Sequence, residues 1–444
     1  MIDQGGALLD AARAVVALAQ AKGAQGVAAH AARSRELSVD FRDGKLEKIS
    51  EATSRGVAVE LYVDGRYSAV STSDLRPEAL SRFLADAVAM ARAVAKDAYR
   101  QLPDSKLYQG QAELDLRLED PSYQGVTAPG RLQAAEALEA AARAVPGAGK
   151  ITSVTASVGD TLYESALVHS NGFEGTRRAT VFSASVEVSV KDEDGRRPEE
   201  SHFAASRFHA ALPSAEEIGR IAGERALGRL GSRKMPSAVL PMVVENRVGG
   251  SLTMRLLGSL SAWALQQKRS FLDGKKGQAV GSSLLDIGDD PLVPEGLASR
   301  RYDGEGIAAR PMRIFDNGVL QNYYIDTYYG RKLGMEPTTG GSSNLRWKLG
   351  DKSAEALVAE ARDGVYVTGF LGGNANGTTG DFSLGVQGFR IRDGRLAEPV
   401  AEINIAGNQL ELWKRLAAVG ADPYAYSSSR TPTLLFEDVQ FAGT

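Results

Sequence analysis

The amino-acid sequence predicts an α+β protein, with a two-lobed α/β region over residues 1–230 and a mainly antiparallel, β-rich domain over residues 235–444. The first observation is that helical and alternating patterns follow the order helix, strands, helix twice, in lobes of about 1–105 and 120–230. The second is that Asp-Gly and Asn-Gly pairs separate many short alternating runs in the second half, as in antiparallel hairpins. The third is the length of 444 residues, which suits roughly two to four domains.

The first lobe begins with an amphipathic helix, predicted over residues 5–22 and ending at Gly23. Short alternating runs follow, and Asp64-Gly65 between two of them predicts a hairpin. A second helix is predicted from Pro77, because proline is favoured in the first helical turn and apolar residues then recur at helical spacing.

The second lobe repeats this order. A helix is predicted over residues 128–144, with Thr127 as its N-cap. Alternating runs between residues 150 and 210 predict strands. Ser214 and Glu217 form a capping box, which predicts the start of the last helix of this half.

The second half predicts a strand over residues 238–245 and then a helix over residues 248–267. We expect the part at 249–265 to pack against the sheet. A final helix is predicted over residues 408–420. Between these helices, the glycine-rich stretch 369–380 precedes an alternating run that predicts a strand.

The composition excludes several classes of site. There are no cysteines, which rules out disulfides, thiolate metal ligands and cysteine nucleophiles. The formal net charge of -3 supplies no general attraction for nucleic acid. No run approaches 18 uncharged apolar residues, so we expect no membrane span and a cytoplasmic protein.

The histidines predict no metal site. None of the four pairs with another at the i, i+4 spacing of a helical zinc motif. His202 and His209 are seven residues apart in a predicted strand, so their side chains are expected on opposite faces. The four are His30, His169, His202 and His209, all in the first half.

The motif search identifies no complete catalytic set. The glycine-rich stretch lacks the lysine and the pattern of a phosphate-binding P-loop. The second half has no histidine to serve as the base of a serine nucleophile, which leaves a serine–lysine pair open. The basic segment "QQKRSFLDGKKG" is better explained as a solvated helix end than as a nucleic-acid contact. The lysines available for such a pair are Lys268, Lys275, Lys276 and Lys348.

Several longer segments carry a resemblance to a known family. In the second half they are "RYDGEGI", "DNGVLQNYYIDTYYGRKLGMEPTTGG", "TTGDFSLGVQGFRIRDGRLAEPVAEINIAGN" and "DPYAY", together with the basic segment. In the first half, "RELSVDFRDGKLEKISEATSRGVAVELYVDGRYSAVSTSD" and "VHSNGFEGTRR" match less closely. With these segments in family order, the chain resembles the TldD/PmbA family over nearly its whole length, and its second half resembles the C-terminal domain of that family.

The resemblance implies a cytoplasmic peptidase assembly acting on unfolded or extended peptides. In this family a TldD-type subunit carries zinc through an H-E-x-x-x-H helix and a later cysteine. A PmbA-type subunit, also called TldE, pairs with it, lacks the zinc set and helps to enclose a chamber. Family members commonly dimerise, and older names of the PmbA branch refer to modulation of DNA gyrase.

The sequence is similar to the PmbA branch. The family's zinc helix aligns with "TMRLLG" at residues 253–258, which contains no zinc ligand, and no H-E-x-x-x-H occurs anywhere. The segment "TTGDFSLGVQGF" also resembles that branch. The resemblance therefore implies no catalytic residue, metal ligand or cofactor in this chain, with zinc only in a TldD-type partner.

The same register suggests a peptide cleft formed by the zinc-helix position, the basic segment and the glycine-rich stretch. Arginines there would hold a peptide carboxylate or carbonyl, or they would only solvate the helix and its end. The glycines would let the backbone turn beside a peptide, with a strand that presents an edge, or they would form a packed turn without ligand contact. The candidate cleft residues are Thr253, Arg255, Arg269, Ser270, Asn374, Asn376, Thr378 and Thr379.

Three hypotheses for function follow. The first is a non-catalytic, PmbA/TldE-like subunit of a zinc peptidase whose partner is a TldD-type subunit. The second is a self-sufficient homodimeric peptidase that uses unconventional residues. The third is a stand-alone peptide-binding regulatory protein. All three predict an unfolded peptide as ligand, with no direct nucleic-acid or membrane contact.

Overall fold

The computed structural model describes residues 4–443. The first half consists of long antiparallel strands covered by helices. Its elements are α1 (Gln4–Ala21), β1 (Gly26–Arg42), β2 (Lys45–Val63), β3 (Arg66–Thr72), α2 (Pro77–Ala93), α3 (Ala128–Arg143), β4 (Ile151–His169), β5 (Glu174–Val190), β6 (Glu199–Ser206) and α4 (Ala215–Leu227).

The two predicted lobes share one six-stranded sheet, with the strand order β3-β2-β1-β4-β5-β6. Strand β1 of the first lobe pairs with β4 of the second from Ala28 opposite His169 to Arg42 opposite Thr155. Each lobe keeps its own apolar core, in which α1 and α2 cover the first set of strands and α3 and α4 cover the second.

Local signals for helix ends and turns are confirmed. Thr127 begins α3 by accepting a hydrogen bond from the Gly130 amide at 3.2 Å, and the Ser214 hydroxyl accepts from the Glu217 amide at 3.1 Å to begin α4. Asp64-Gly65 forms the turn of the β2–β3 hairpin. These signals depend only on neighbours in the chain, which explains why the sequence shows them.

The second half contains more and shorter elements. They are β7 (Ala238–Val244), α5 (Asn246–Gly258), α6 (Ala262–Gln266), β8 (Ile287–Asp290), β9 (Met312–Asp316), β10 (Val319–Leu320), α7 (Thr327–Leu333), β11 (Asn344–Trp347), α8 (Ala354–Ala361), β12 (Gly364–Ala375), β13 (Asp381–Arg392), β14 (Arg395–Asn408), α9 (Gln409–Lys414), β15 (Leu416–Val419) and β16 (Leu434–Ala442).

Six of these strands form a sheet in the order β14-β13-β12-β7-β16-β15, and an additional pairing of β14 with β16 closes the first five into a barrel, with β15 outside it. The pairing of β12 with β7 is parallel, and every other pairing in this sheet is antiparallel. Strands β8–β11 form a second antiparallel sheet. The predicted α+β class and the mainly antiparallel second half are therefore confirmed.

The helix predicted over residues 248–267 is two helices, α5 and α6, so the prediction of one continuous helix was wrong. The break lies at Ser259–Ser261, where the Ser261 hydroxyl accepts from the Ala264 amide at 3.3 Å and so begins α6. The Ala262 amide donates to the Tyr324 carbonyl at 2.8 Å, a partner distant in sequence. Leu252 and Leu256 of α5 lie in the barrel core, so this helix does pack against the sheet.

The helix predicted over residues 408–420 is also shorter than expected. Helix α9 ends at Lys414, and the following residues form β15, which pairs with β16.

The expectation that His209 shares a strand with His202 was wrong as well. Strand β6 ends at Ser206, and His209 begins a single 3-10 turn.

The glycine-rich stretch forms most of a hairpin rather than a loop ahead of a strand. Residues up to Ala375 belong to β12, and the tip of the hairpin is residues 376–380. The next strand, β13, pairs with β12 on one side and β14 on the other, so the expectation that it presents an edge was wrong. Pairing of β12 to β7 stops at Val367, so among residues 4–443 the segment 368–375 has a strand partner on one side, β13.

Candidate functional site

A cavity of about 830 Å³ lies between helices α5 and α6 and the far end of the β12–β13 hairpin. The two helices supply one wall and the hairpin supplies the other. Its lining residues are Arg255, Gly258, Ser259, Trp263, Ala264, Arg269, Asn374, Ala375, Asn376, Gly377, Thr378, Asp381, Phe382, Ser383 and Gln409.

Asn376 organises the tip of the hairpin. Its side-chain oxygen accepts hydrogen bonds from the amides of Thr378 at 2.9 Å and Thr379 at 3.4 Å. Its backbone carbonyl accepts from the Gly380 amide at 2.8 Å, and its amide donates to the Asp381 carbonyl at 2.8 Å. An asparagine that bonds its own following backbone is a common turn device, so this side chain shapes the cavity wall.

Two arginines give the cavity a positive charge. Arg255 is half-buried on α5, and its Nε atom is buried without a hydrogen-bond partner among residues 4–443. Arg269 is exposed after α6, with its guanidinium carbon 5.9 Å from the centre of the Trp263 ring. Within the described chain, no carboxylate lies within 4.0 Å of either guanidinium.

Asp381 is the carboxylate among the lining residues. Its oxygens accept from the Thr379 hydroxyl at 2.6 Å and from the Asn408 side chain at 3.0 Å. These hydrogen bonds hold the pKa of Asp381 below its ordinary value. Because its own neighbours already bind this carboxylate, the two arginines remain available to another anion or to carbonyl oxygens.

The structure brings five of the eight predicted cleft residues to this cavity: Arg255, Arg269, Asn374, Asn376 and Thr378. The other three lie elsewhere. Thr253 is fully buried, and its hydroxyl donates to the Gly249 carbonyl at 3.1 Å within α5. Ser270 is buried, and its hydroxyl donates to the Ser259 carbonyl at 2.5 Å. Thr379 is exposed beside Asp381 but is not among the lining residues.

Several lining residues were missed by sequence reasoning. Trp263 is about half exposed, and no motif in the sequence marked it as a cleft residue. Gln409 reaches the cavity from the start of α9 and gave no sequence signal. The lining residues outside the predicted cleft segments are Ser259, Trp263, Ala264, Asp381, Phe382, Ser383 and Gln409, whereas Gly258, Ala375 and Gly377 lie within those segments.

The serine–lysine alternative gains no support from hydrogen bonding. Lys268 pairs with Asp273 at 3.0 Å, and Lys276 donates to the Asn322 side chain at 3.3 Å. Lys348 lies 4.0 Å from Asp286. In the part of the chain that the structure describes, none of these lysines, nor Lys275, donates to a serine hydroxyl.

The chemistry of the cavity lining does not fit a zinc ion. The lining contains no histidine or cysteine, and its one carboxylate, Asp381, is accompanied by Arg255 and Arg269. Across residues 4–443, no group of three or more His, Cys, Asp or Glu side chains is arranged to hold a metal ion.

None of the helices described has an apolar stretch long enough to cross a lipid bilayer.

Family comparison agrees with this architecture along most of the chain. The family models matched are the PmbA/TldA metallopeptidase domain 1 over residues 31–91, the central domain over residues 119–230 and the C-terminal domain over residues 237–443. The chain therefore belongs to the PmbA/TldD family of metallopeptidases.

Individual relatives support the same assignment. Metalloprotease PmbA of Escherichia coli O157:H7 is 28% identical over 415 residues, covering 92% of this chain and 90% of that protein. A solved structure from Bacteroides thetaiotaomicron VPI-5482, whose name proposes a modulator of DNA gyrase, is 36% identical with a TM-score of 0.95 and 98% coverage of both chains. TldE from Thermococcus kodakarensis shares the fold, with a TM-score of 0.87, 20% identity and coverage of 98% of this chain and 100% of that one.

Proposed function

We propose that this chain is the PmbA/TldE-like subunit of a cytoplasmic TldD/TldE-type zinc peptidase that degrades or processes unfolded peptides. In this proposal the chain supplies no zinc ligand and no catalytic group. The observation that carries it is the cavity at α5, whose lining includes Arg255 and Arg269 but no histidine or cysteine. The partner would be a TldD-type subunit with its own zinc site.

The cavity walls suit an extended peptide in three ways. Residues 368–375 of β12 have no second strand partner within the described chain, so a peptide could add along this side through main-chain hydrogen bonds. Arg255 and Arg269 offer guanidinium donors to peptide carbonyl or carboxylate oxygens. Trp263, about half exposed, offers an apolar surface to side chains.

The contribution of such a subunit is to bind and orient the peptide and to exclude bulk water from the partner's active site. Holding a substrate in a reactive geometry lowers the barrier of the reaction even when the holding group takes no part in the chemistry. The chain's own residues would therefore affect cleavage through substrate position rather than through proton transfer or nucleophilic attack.

Metal analysis tests the zinc part of this proposal. We expect purified chain, dialysed against metal-free buffer, to hold well below one zinc per chain, because tight zinc sites need about three or four protein ligands. A zinc-binding protein treated in the same way serves as the positive control. About one zinc per chain that survives dialysis would overturn the proposal.

A further inference from the structure

A second cavity, of about 630 Å³, lies where β5 meets the segment that precedes β9. The connector between the two lobes forms its third side, at residues 115–121. Its lining is rich in positive charge, because it contains five arginines and only two carboxylates, Asp115 and Glu119. These arginines are Arg117, Arg177, Arg178, Arg300 and Arg301.

Two of the five are already neutralised by carboxylates. Arg178 pairs with Glu119 at 2.7 Å and with Glu164 at 2.9 Å. Arg117 pairs with Glu295 at 2.9 Å. These arginines therefore add little net charge to the cavity.

The other three have no carboxylate within 4.0 Å in the described part of the chain. Arg177 donates to the Ser299 carbonyl at 3.1 Å, and Arg301 donates to the Leu114 carbonyl at 3.1 Å. Arg300 donates to the carbonyls of Ser342 at 3.0 Å and Gly341 at 2.5 Å. Carbonyl oxygens satisfy hydrogen bonds, but they do not neutralise a positive charge.

Arg177 and Arg300 are half-buried, which makes their uncompensated charge costly. The Nε atoms of both are buried without a hydrogen-bond partner among residues 4–443. Burial lowers the pKa of Arg177; Tyr163 and Tyr302 oppose this effect, and the positive charge of Arg300 adds to it. Among residues 4–443, neither guanidinium has a carboxylate within 4.0 Å to balance its charge.

Arg207 adds a further positive charge near Arg177. It is buried, and its donors are used by the carbonyls of Thr180, Gly296 and Leu297. Burial, together with the charge of Arg177, lowers the pKa of Arg207 to about 10. Arg207 is not among the lining residues, so it strengthens the local positive potential without reaching the cavity as a ligand.

A neighbouring cavity shows on which side an anion would lie. Arg177, Arg300 and Tyr302 also line this space of about 680 Å³, whose wall contains the carboxylates Glu60, Asp303 and Glu305. Those carboxylates would repel an anion. The cavity lined by five arginines is therefore the favourable side.

We propose that Arg177 and Arg300, with Arg301 at the rim, form a binding site for an oxyanion, either a phosphate or the free carboxylate of a peptide. Both present paired oxygens that match the fork of a guanidinium. The bound anion would supply the missing counter-charge and tie β5 to the segment at residues 299–302. This site is separate from the α5 cavity and does not depend on the proposed peptidase role.

A thermal-shift titration of the full chain tests the proposal. With sodium phosphate in the millimolar range, we expect the Tm to rise by about 2 °C or more above its value in sodium chloride of equal ionic strength. The second comparison titrates a peptide with a free C-terminal carboxylate and the same peptide with an amidated C-terminus. A shift with phosphate alone identifies a phosphate site, and a shift only with the free-carboxylate peptide identifies a carboxylate site.

Variants assign the effect to these residues. Arg301→Ala changes an exposed side chain and is expected to weaken the apparent affinity roughly 5–10-fold, while Arg177→Gln should abolish the shift. Arg395→Ala, an exposed arginine outside both cavities, is the matched control and should behave as wild type. If Arg177→Gln does not fold, the apparent affinity of Arg301→Ala for the anion still tests whether these arginines form the site. Equal shifts in phosphate and chloride with no shift for either peptide, or an unchanged affinity in Arg301→Ala, would overturn the proposal.

Discussion

The backbone amide of Phe271 donates a hydrogen bond of 2.9 Å to the carbonyl of Gly377. This bond joins the segment that carries Arg269 to the tip of the β12–β13 hairpin. A Cβ atom added at Gly377 would lie 3.1 Å from the Arg269 carbonyl, so the two backbones are in close contact. The two walls of the α5 cavity are therefore fixed to each other, and the position of the hairpin should affect the position of the arginine.

The glycines of β12 allow a direct test of the hairpin. Gly373 has a φ of +102°, and an added Cβ would collide with the Ser383 carbonyl oxygen. We expect Gly373→Ala to lower the free energy of unfolding by about 2–3 kcal/mol, from backbone strain plus overlap with the facing strand. Denaturant unfolding measures this change.

Gly372→Ala is the matched control, because Gly372 has a φ of +56° and open space where its Cβ would stand. Gly372→Ala should lower the free energy of unfolding by only about 1 kcal/mol, which is the cost of the backbone strain alone. Equal costs for the two substitutions would show that the facing strand does not constrain the hairpin.

The cavity arginines should matter for cleavage and not for assembly. In the complex with a TldD-type partner, we expect Arg255→Ala and Arg269→Ala each to lower kcat/KM for an unfolded peptide about tenfold, through lost peptide contacts. Size-exclusion chromatography checks assembly, and Arg395→Ala serves as the control outside the cavity. If both variants assemble and cleave at the wild-type rate, the cavity is not the peptide cleft.

Glu305 should make stability depend on pH. Burial, with a smaller contribution from the negative charges of Asp303 and Asp326, raises the pKa of Glu305 to about 7, against the hydrogen bonds from Thr327. In the unfolded chain this group loses its proton near its ordinary value of 4.5, whereas the folded chain keeps it up to about pH 7. Its contribution to the free energy of unfolding is therefore present below pH 4.5 and is lost as the pH rises to about 7.

Denaturant unfolding at pH 5 and pH 8 measures this contribution. Glu305→Gln cannot titrate, so its stability relative to wild type should be higher at pH 8 than at pH 5. The Thr327 hydroxyl donates to Glu305 at 2.5 Å and favours the charged form. Thr327→Val should therefore make the loss with rising pH larger. The same difference between Glu305→Gln and wild type at both pH values would contradict this assignment.

Features set by near neighbours could be predicted from the sequence, and features set by distant contacts could not. Thr127 and Ser214 begin their helices through bonds to residues three positions on. The break between α5 and α6 instead involves the Tyr324 carbonyl, and β15 forms because β16 lies beside it. The pairing of β1 with β4, which unites the two lobes in one sheet, joins residues more than a hundred positions apart.

The site shows the same division. Asn376 and Arg255 could be placed near the α5 cavity because the family resemblance supplied a register along the chain. Thr253 could not be excluded, because its direction depends on which face of α5 packs against Thr431, whose hydroxyl lies 3.4 Å away. The arginine-lined cavity gave no sequence signal, since it combines β5 with a segment over a hundred residues later.

The most direct test of the central proposal is cleavage of an unfolded protein by three samples: this chain alone, a TldD-type zinc subunit alone and an equimolar mixture. We predict no cleavage by this chain alone and a rate for the mixture at least about tenfold above that of the zinc subunit alone, because the chain completes the peptide site. Cleavage by the purified chain alone, or a mixture no faster than the zinc subunit alone, would contradict the proposal.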